Sequence, residues 1–138
     1  MFLAFVGWFS CSPLLRVIQE DLQLTDQQLW VGNIASVTMA SISRFVVGPL
    51  LDGVGPLRLQ SGFLCIGGFF ILLLPLSKSA GTLTTIRFLI GGLGSCFVCT
   101  QCWTQNMFTK EVAGTAQACA AGWGNVGGGV AHILLPFA

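Results

Sequence analysis

The sequence predicts an all-α integral membrane protein, a bundle of about five transmembrane helices, and three observations carry that reading. The 138 residues are 54% hydrophobic and only 8% charged, where a soluble domain carries roughly 25% charged residues. Several apolar stretches approach or exceed the ~20 residues that a helix rising 1.5 Å per residue needs to cross a ~30 Å hydrocarbon core. Short segments rich in Gly, Pro and charge separate these stretches, and short connections make successive helices antiparallel neighbours. The lipid bilayer is therefore the first partner of the chain.

The first apolar segment covers residues 1–15, ahead of Arg16. It is slightly short for a span, and the chain stops at Ala138 inside an apolar run, so the sequence reads as a fragment of a longer protein. A signal anchor is the alternative reading of residues 1–15, since no small-residue cleavage site follows them. Arg16 to Gln28, RVIQEDLQLTDQQ, is polar. Within it Thr25 and Gln28 have the spacing of a capping box, so the second helix is expected at 26–51, with Trp30 at interfacial depth. DGVGPLR, residues 52–58, holds turn formers too closely spaced to continue a helix. Further helices are expected at 59–76, 82–108 and 115–138. Positive charges do not orient the bundle, because Arg16 and Lys78 share one side and Arg58 and Lys110 the other.

Several function classes drop out. A net charge of +1 and a pI near 7.6 leave no broad basic face for nucleic acid. Cys11, Cys65, Cys96, Cys99, Cys102 and Cys119 all lie in apolar segments, and His132 stands some thirty positions beyond the CxxC spacings. The thiols read as small buried apolar groups, and neither a metal site nor a cofactor is expected. No nucleophile with a base, no carboxylate pair and no phosphate loop suggests an enzyme.

Arg44 is the most informative residue. It lies deep in the second helix, where an isolated charge costs ~2.5 to 3.5 kcal/mol on insertion scales. At 100° per residue Asn33, Val37, Ala40, Ser41, Arg44 and Gly48 form one small or polar stripe, which should face protein or a water-filled cavity. Either Arg44 braces a carboxylate outside these residues, or it binds an anion; no other span here has Asp or Glu in its interior. Arg87, in the first turns of its span, is expected to snorkel toward the interface in a structural role. On the same span Gly94, Phe97, Gln101 and Gln105 form a drifting stripe expected to face inward. The last span contains AAGWGNVGGG. Its Gly122, Gly124 and Gly127 match GxGxxG, but without a βαβ context that match carries no nucleotide reading. Gly124 and Gly128 have GxxxG spacing, so Gly122, Gly124, Gly127, Gly128 and Gly129 are read as helix-packing positions. Asn125 shares a face with Ala118, Ala121, Gly122, Gly129 and His132.

These segments carry a resemblance. Gly48, Asp52, Gly55 and Arg58 in GPLLDGVGPLR resemble the loop between the second and third helices of the major facilitator superfamily, although Gly53 stands where a basic residue is common and Leu57 shifts the arginine by one. With SISRFVVG, RFLIGGLGSCF and AAGWGNVGGG the chain is similar to the nitrate/nitrite porter family, and CTQCWTQNMF resembles its eukaryotic high-affinity members. The resemblance implies the first five of twelve helices, in a partial N-terminal six-helix bundle. It implies cytoplasmic loops at residues 52–58 and 110–111, a plasma-membrane location, and a proton-coupled symporter moving nitrate, or nitrite, by alternating access. It also implies a substrate site from Arg44, Phe97, Asn125 and Gly94, a conformational role for the Gly48, Asp52, Gly55 and Arg58 loop, and a second half of the site in the C-terminal half that lies outside this chain. An accessory membrane subunit is a further partner the resemblance admits. Two alternatives stay open: a porter of another anion or small solute in the superfamily, and a truncated membrane protein that does not transport.

Overall fold

A computed structural model describes residues 1–134 and is helical almost throughout them; the expected continuation of the last helix to residue 138 lies outside the described residues. The elements are α1 (Phe2–Leu22), α2 (Asp26–Val54), α3 (Pro56–Leu72), a 3-10 turn (Leu74–Leu76), α4 (Ala80–Ile90), a 3-10 stretch (Gly91–Ser95), α5 (Cys96–Met107) and α6 (Lys110–Leu134).

The boundaries differ from the sequence expectation for local reasons. α1 runs on from residue 15 to Leu22, because nothing in VIQED breaks a helix before Gln23, which adopts a left-handed conformation at φ 50°. Gln19 then secures the turn, donating from Nε2 to Asp26 Oδ1 at 2.7 Å and to the Leu24 carbonyl at 3.3 Å. α2 starts at Asp26, with Gln28 Oε1 accepting from the Thr25 N–H at 3.1 Å. At its other end Gly55 has φ +87°, a conformation that L side chains rarely adopt. Pro56 follows at the first helical position, where its missing N–H is no loss, and so α3 begins earlier than residue 59. α6 likewise starts at Lys110 rather than 115, with Glu111 in its first turn, where the helix dipole favours a carboxylate.

Among the described residues three segments are long and apolar enough to cross a membrane: Asp26–Val54, Pro56–Leu76 and Ala80–Met107. The apolar part of α1, Phe2–Leu15, is shorter, and α6 carries glycine and alanine where the others carry leucine and phenylalanine. Of the five expected spans, three therefore qualify by composition alone. α1 and α6 lie along each other, α2 packs on α4 and the Gly91–Ser95 stretch, and α3 and α6 both pack on α5. Large apolar side chains such as Ile34, Phe45, Leu72 and Met107 are exposed, as the lipid-facing side of a membrane bundle requires.

Small residues set the closest contacts. The buried side of α2 is Gly32, Ser36, Ala40, Ser43, Val47 and Leu51, not the stripe that contains Arg44. A Cβ at Gly91 would overlap the Ser36 carbonyl, and one at Gly94 would come 2.8 Å from the Ala40 Cβ. The backbone of the fourth span thus lies directly on α2. Glycine's poor helix propensity and this contact together account for the 3-10 stretch, which replaces the continuous helix expected over 82–108. The glycines of α6 divide. A Cβ at Gly124 would meet the Met1 side chain, one at Gly127 would come 2.5 Å from the Phe2 carbonyl oxygen, and one at Gly128 would come 3.0 Å from the Phe9 ring, whereas Gly122 and Gly129 have nothing within 4 Å. On a helix, positions 124, 127, 128 and 131 form one face, and that face is the buried one; Gly122 and Gly129 lie off it and pack on none of the described residues.

Of the cysteines, Cys11, Cys96 and Cys99 are buried in the core, while Cys65 and Cys119 are exposed, so the reading of all six as buried thiols is too broad. Among the described residues no three His, Cys, Asp or Glu side chains gather as metal ligands do.

The seam makes a sharp prediction. Gly91→Ala forces the α2 backbone and the fourth span apart and should cost ~1 to 3 kcal/mol, as overpacking does. Gly92→Ala, with open space at its Cβ, should be near neutral. Thermal unfolding of both variants in lipid nanodiscs checks this, and equal midpoints would contradict the backbone contact.

Candidate anion-binding site

The 3-10 stretch presents a backbone carbonyl to α2. Arg44 donates from Nε to the Gly94 oxygen at 3.3 Å, and its guanidinium carbon lies 5.6 Å from the centre of the Phe97 ring. Three of the four substrate-site residues expected from the sequence, Arg44, Gly94 and Phe97, therefore meet. They come from α2, the 3-10 stretch and the first turn of α5, and no sequence spacing shows that meeting. Ser95 donates to Ser43 Oγ, and Ser43 donates to the Ala40 carbonyl at 3.3 Å. This hydroxyl chain pins the two segments beside the arginine.

The arrangement leaves the arginine's reactive end open. A guanidinium carries five N–H donors; among the described residues only Nε of Arg44 is engaged, so its two terminal nitrogens present a planar fork. One hydrogen bond from a charged group and one cation–π contact together contribute ~2 to 4 kcal/mol, comparable with the ~2.5 to 3.5 kcal/mol that a charge at this depth costs. Arg44 is exposed; an open groove of about 510 Å³ on α2 is lined by residues that include Asn33, Val37, Ser41 and Phe45. The expected polar stripe thus splits, with Asn33, Val37 and Ser41 on the groove and Ala40 in the buried seam.

Asn125 is exposed on α6, and among the described residues no hydrogen bond joins it to Arg44, Gly94 or Phe97. Gln105 is exposed rather than inward-facing, while Gln101 is half buried and bonded to α6. Asp52 and Arg58 are exposed on either side of the Gly55 turn, and Gly48 has nothing within 4 Å of its Cβ position.

Two contributors escaped the sequence reading. Trp8 donates from Nε1 to Ser36 Oγ at 3.0 Å, and its ring edge lies 3.4 Å from a Cβ placed on Gly94. Its partner stripe, Gly32, Ser36, Ala40 and Ser43, was legible as small residues at helical spacing. Arg87 does not snorkel. It is 5% exposed, its stem lies over Gly32, and Nη2 donates to Asn33 Oδ1 at 2.7 Å. α2 closes over it, so its charge has no route to the interface, and Nη1 is buried without a hydrogen-bond partner among the described residues.

Fold and cluster together define an α-helical membrane protein with an arginine held at a helix seam and its donors facing outward. The chain is similar to several named transporters. It is 36% identical to nitrate transporter 2.1 of Chlamydomonas reinhardtii over 135 residues, 98% of this chain and 25% of that protein. It is 39% identical to high affinity nitrate transporter 2.5 of Arabidopsis thaliana over 136 residues, 98% of this chain and 27% of that protein. To the nitrate/nitrite transporter NrtP of Nostoc punctiforme it is 32% identical over 135 residues, again 98% of this chain and 27% of that protein. No family model and no solved structure matches it. The chain spans about a quarter of the length of these curated relatives.

The Arg87 geometry sets a stability test. Asn33→Leu removes the acceptor from a buried guanidinium and should cost on the order of 2 kcal/mol, the range for hydrogen bonds to charged groups. Adding Arg87→Leu should recover part of the loss. Chemical unfolding in detergent checks both, and an additive double variant would count against the pairing.

Proposed function

We propose that these helices form part of a membrane transporter for nitrate, and for nitrite, with Arg44 as the residue that binds the anion. The observation that supports this reading most is the Arg44 geometry: Nε is occupied by Gly94, the guanidinium lies near Phe97, and the terminal nitrogens are not engaged by the described residues. Nitrate is planar, with its charge spread over three oxygens. A guanidinium held by Nε offers two parallel donors to two of those oxygens, and Phe97 limits where the plane lies. The named relatives support the choice of anion.

The finer reading rests on the resemblance. In it Asn125 contributes a polar group from α6, a second arginine comes from the other half of a longer transporter, and two bundles rock about the site in alternating access. Proton coupling, a plasma-membrane location, cytoplasmic loops at residues 52–58 and 110–111, and an accessory membrane subunit belong to the same proposal. The conformational role of Gly48, Asp52, Gly55 and Arg58 does too, and the positive φ of Gly55 favours a tight, well-defined turn there.

Arg44→Lys tests the central claim in a transporter of the relatives' full length that carries this segment. Lysine keeps the charge but offers a compact ammonium that must choose between the Gly94 carbonyl and the anion. Nitrate uptake, normalised to protein in the membrane, should fall by roughly tenfold or more, equivalent to the ~1.4 kcal/mol of one lost good contact. Near-normal uptake would remove Arg44 from the binding site.

A further inference from the structure

α5 and α6 are joined by a reciprocal bond. Gln101 Nε2 donates to the Gln117 carbonyl at 3.3 Å, and Gln117 Nε2 donates to the Gln101 carbonyl at 3.4 Å. Both side chains are half buried. A single interhelical hydrogen bond lets two helices pivot and slide. Two bonds between the same pair of residues add to the cost of a shift along the axis and resist the pivoting that a single bond allows.

The register this sets matters for the cluster around Arg44. α5 and α6 run antiparallel, so distances from the Gln101–Gln117 level can be compared along both. Phe97 lies four residues away, ~6 Å, and Gly94 seven residues away, ~11 Å, at helical rises of 1.5 to 2 Å per residue. Asn125 lies eight residues from Gln117, ~12 Å in the same direction. The clasp therefore holds Asn125 at the depth of Gly94, whose carbonyl holds Arg44. Farther along α6, Gly127 and Gly128 rest on α1 through Phe2 and Phe9; the two residues between Met107 and Lys110 limit gross sliding of α5 against α6, and the glutamines set the finer register.

We propose that Gln101 and Gln117 are positioning residues, an amide clasp that sets the register of α5 against α6 and so the depth of Asn125 relative to Gly94 and Phe97. Its consequence for nitrate rests on the transporter reading above. The two are tested separately.

Register is read from spin labels on Cys119, which is exposed, and on a Gln105→Cys variant, with Cys65 and Cys102 replaced by alanine, in the chain reconstituted into lipid nanodiscs. Electron paramagnetic resonance should give a narrow distance distribution for the parent. Gln101→Leu and Gln117→Leu each remove one bond, because the acceptors are backbone carbonyls, and should each broaden it in part, and the double variant, which removes both, should broaden it further. If leucine prevents folding, Gln101→Asn and Gln117→Asn keep the amide but shorten its reach and should broaden the distribution likewise. Narrow distributions in the variants that fold would overturn the clasp. Nitrate uptake in the full-length context is the second readout: at matched membrane protein the variants should raise the KM for nitrate roughly tenfold, the size of one lost contact, with a smaller change in kcat. Reduced protein with unchanged KM would assign the glutamines to folding alone and overturn the positioning role. If Arg44→Lys leaves uptake unchanged, the anion reading fails, and the spin-label distances still decide the clasp.

Discussion

The contact between the Gly91–Ser95 stretch and α2 governs the rest of the molecule. There is no room between the Gly91 backbone and the Ser36 carbonyl for even a methyl group, and the same is nearly true of Gly94 and Ala40. Close approach of this kind replaces the hydrophobic effect as the source of helix association in lipid, where packing and interhelical hydrogen bonds do the work. Three polar contacts of the fourth span are arranged along this line: Arg87 with Asn33, Ser95 with Ser43, and Gly94 with Arg44. Move the two backbones apart by the width of one side chain and all three bonds lengthen together.

The departure from α-helical geometry at this contact also has a chemical result. In a 3-10 stretch the backbone bonds are shorter in span and poorer in geometry, so a carbonyl such as that of Gly94 accepts a side-chain donor more readily than one in a regular helix. Arg44 is thereby held through Nε, which leaves its two terminal nitrogens unengaged by the described residues. The two interior arginines illustrate opposite solutions to the same cost. Arg87 is enclosed and bonded to a neutral amide, with Nη1 buried and unpartnered among the described residues. Arg44 is exposed and held through Nε, with its terminal nitrogens unengaged by the described residues.

α6 is secured by two unlike devices. On α1 it rests through Gly124, Gly127 and Gly128, a contact of shape alone. On α5 it is held by paired amides whose hydrogen bonds are directional. The glycine contact seats the Met1 and Phe9 side chains and the Phe2 backbone closely against α6, and the amide pair ties α6 to α5 at the level of Gln101 and Gln117.

Composition by itself determined the membrane class, because burying a backbone in lipid demands long apolar helices and little else. The isolated charge of Arg44 was equally legible, since its cost in lipid is independent of its neighbours, and the GxxxG pair at Gly124 and Gly128 announced close packing. The capping box located the start of α2 because it is a local interaction within four residues. Tertiary structure alone decided the rest. It buried Arg87 under α2 instead of letting it reach the interface, because shielding depends on which helix lies alongside. It turned Gly91–Ser95 into a 3-10 stretch, and it brought Arg44 to Gly94 and Phe97 across fifty positions of sequence. It also separated Gly122 and Gly129 from the packing glycines. Each of these depends on which face of one helix meets which face of another, and helical periodicity specifies the faces without specifying their partners.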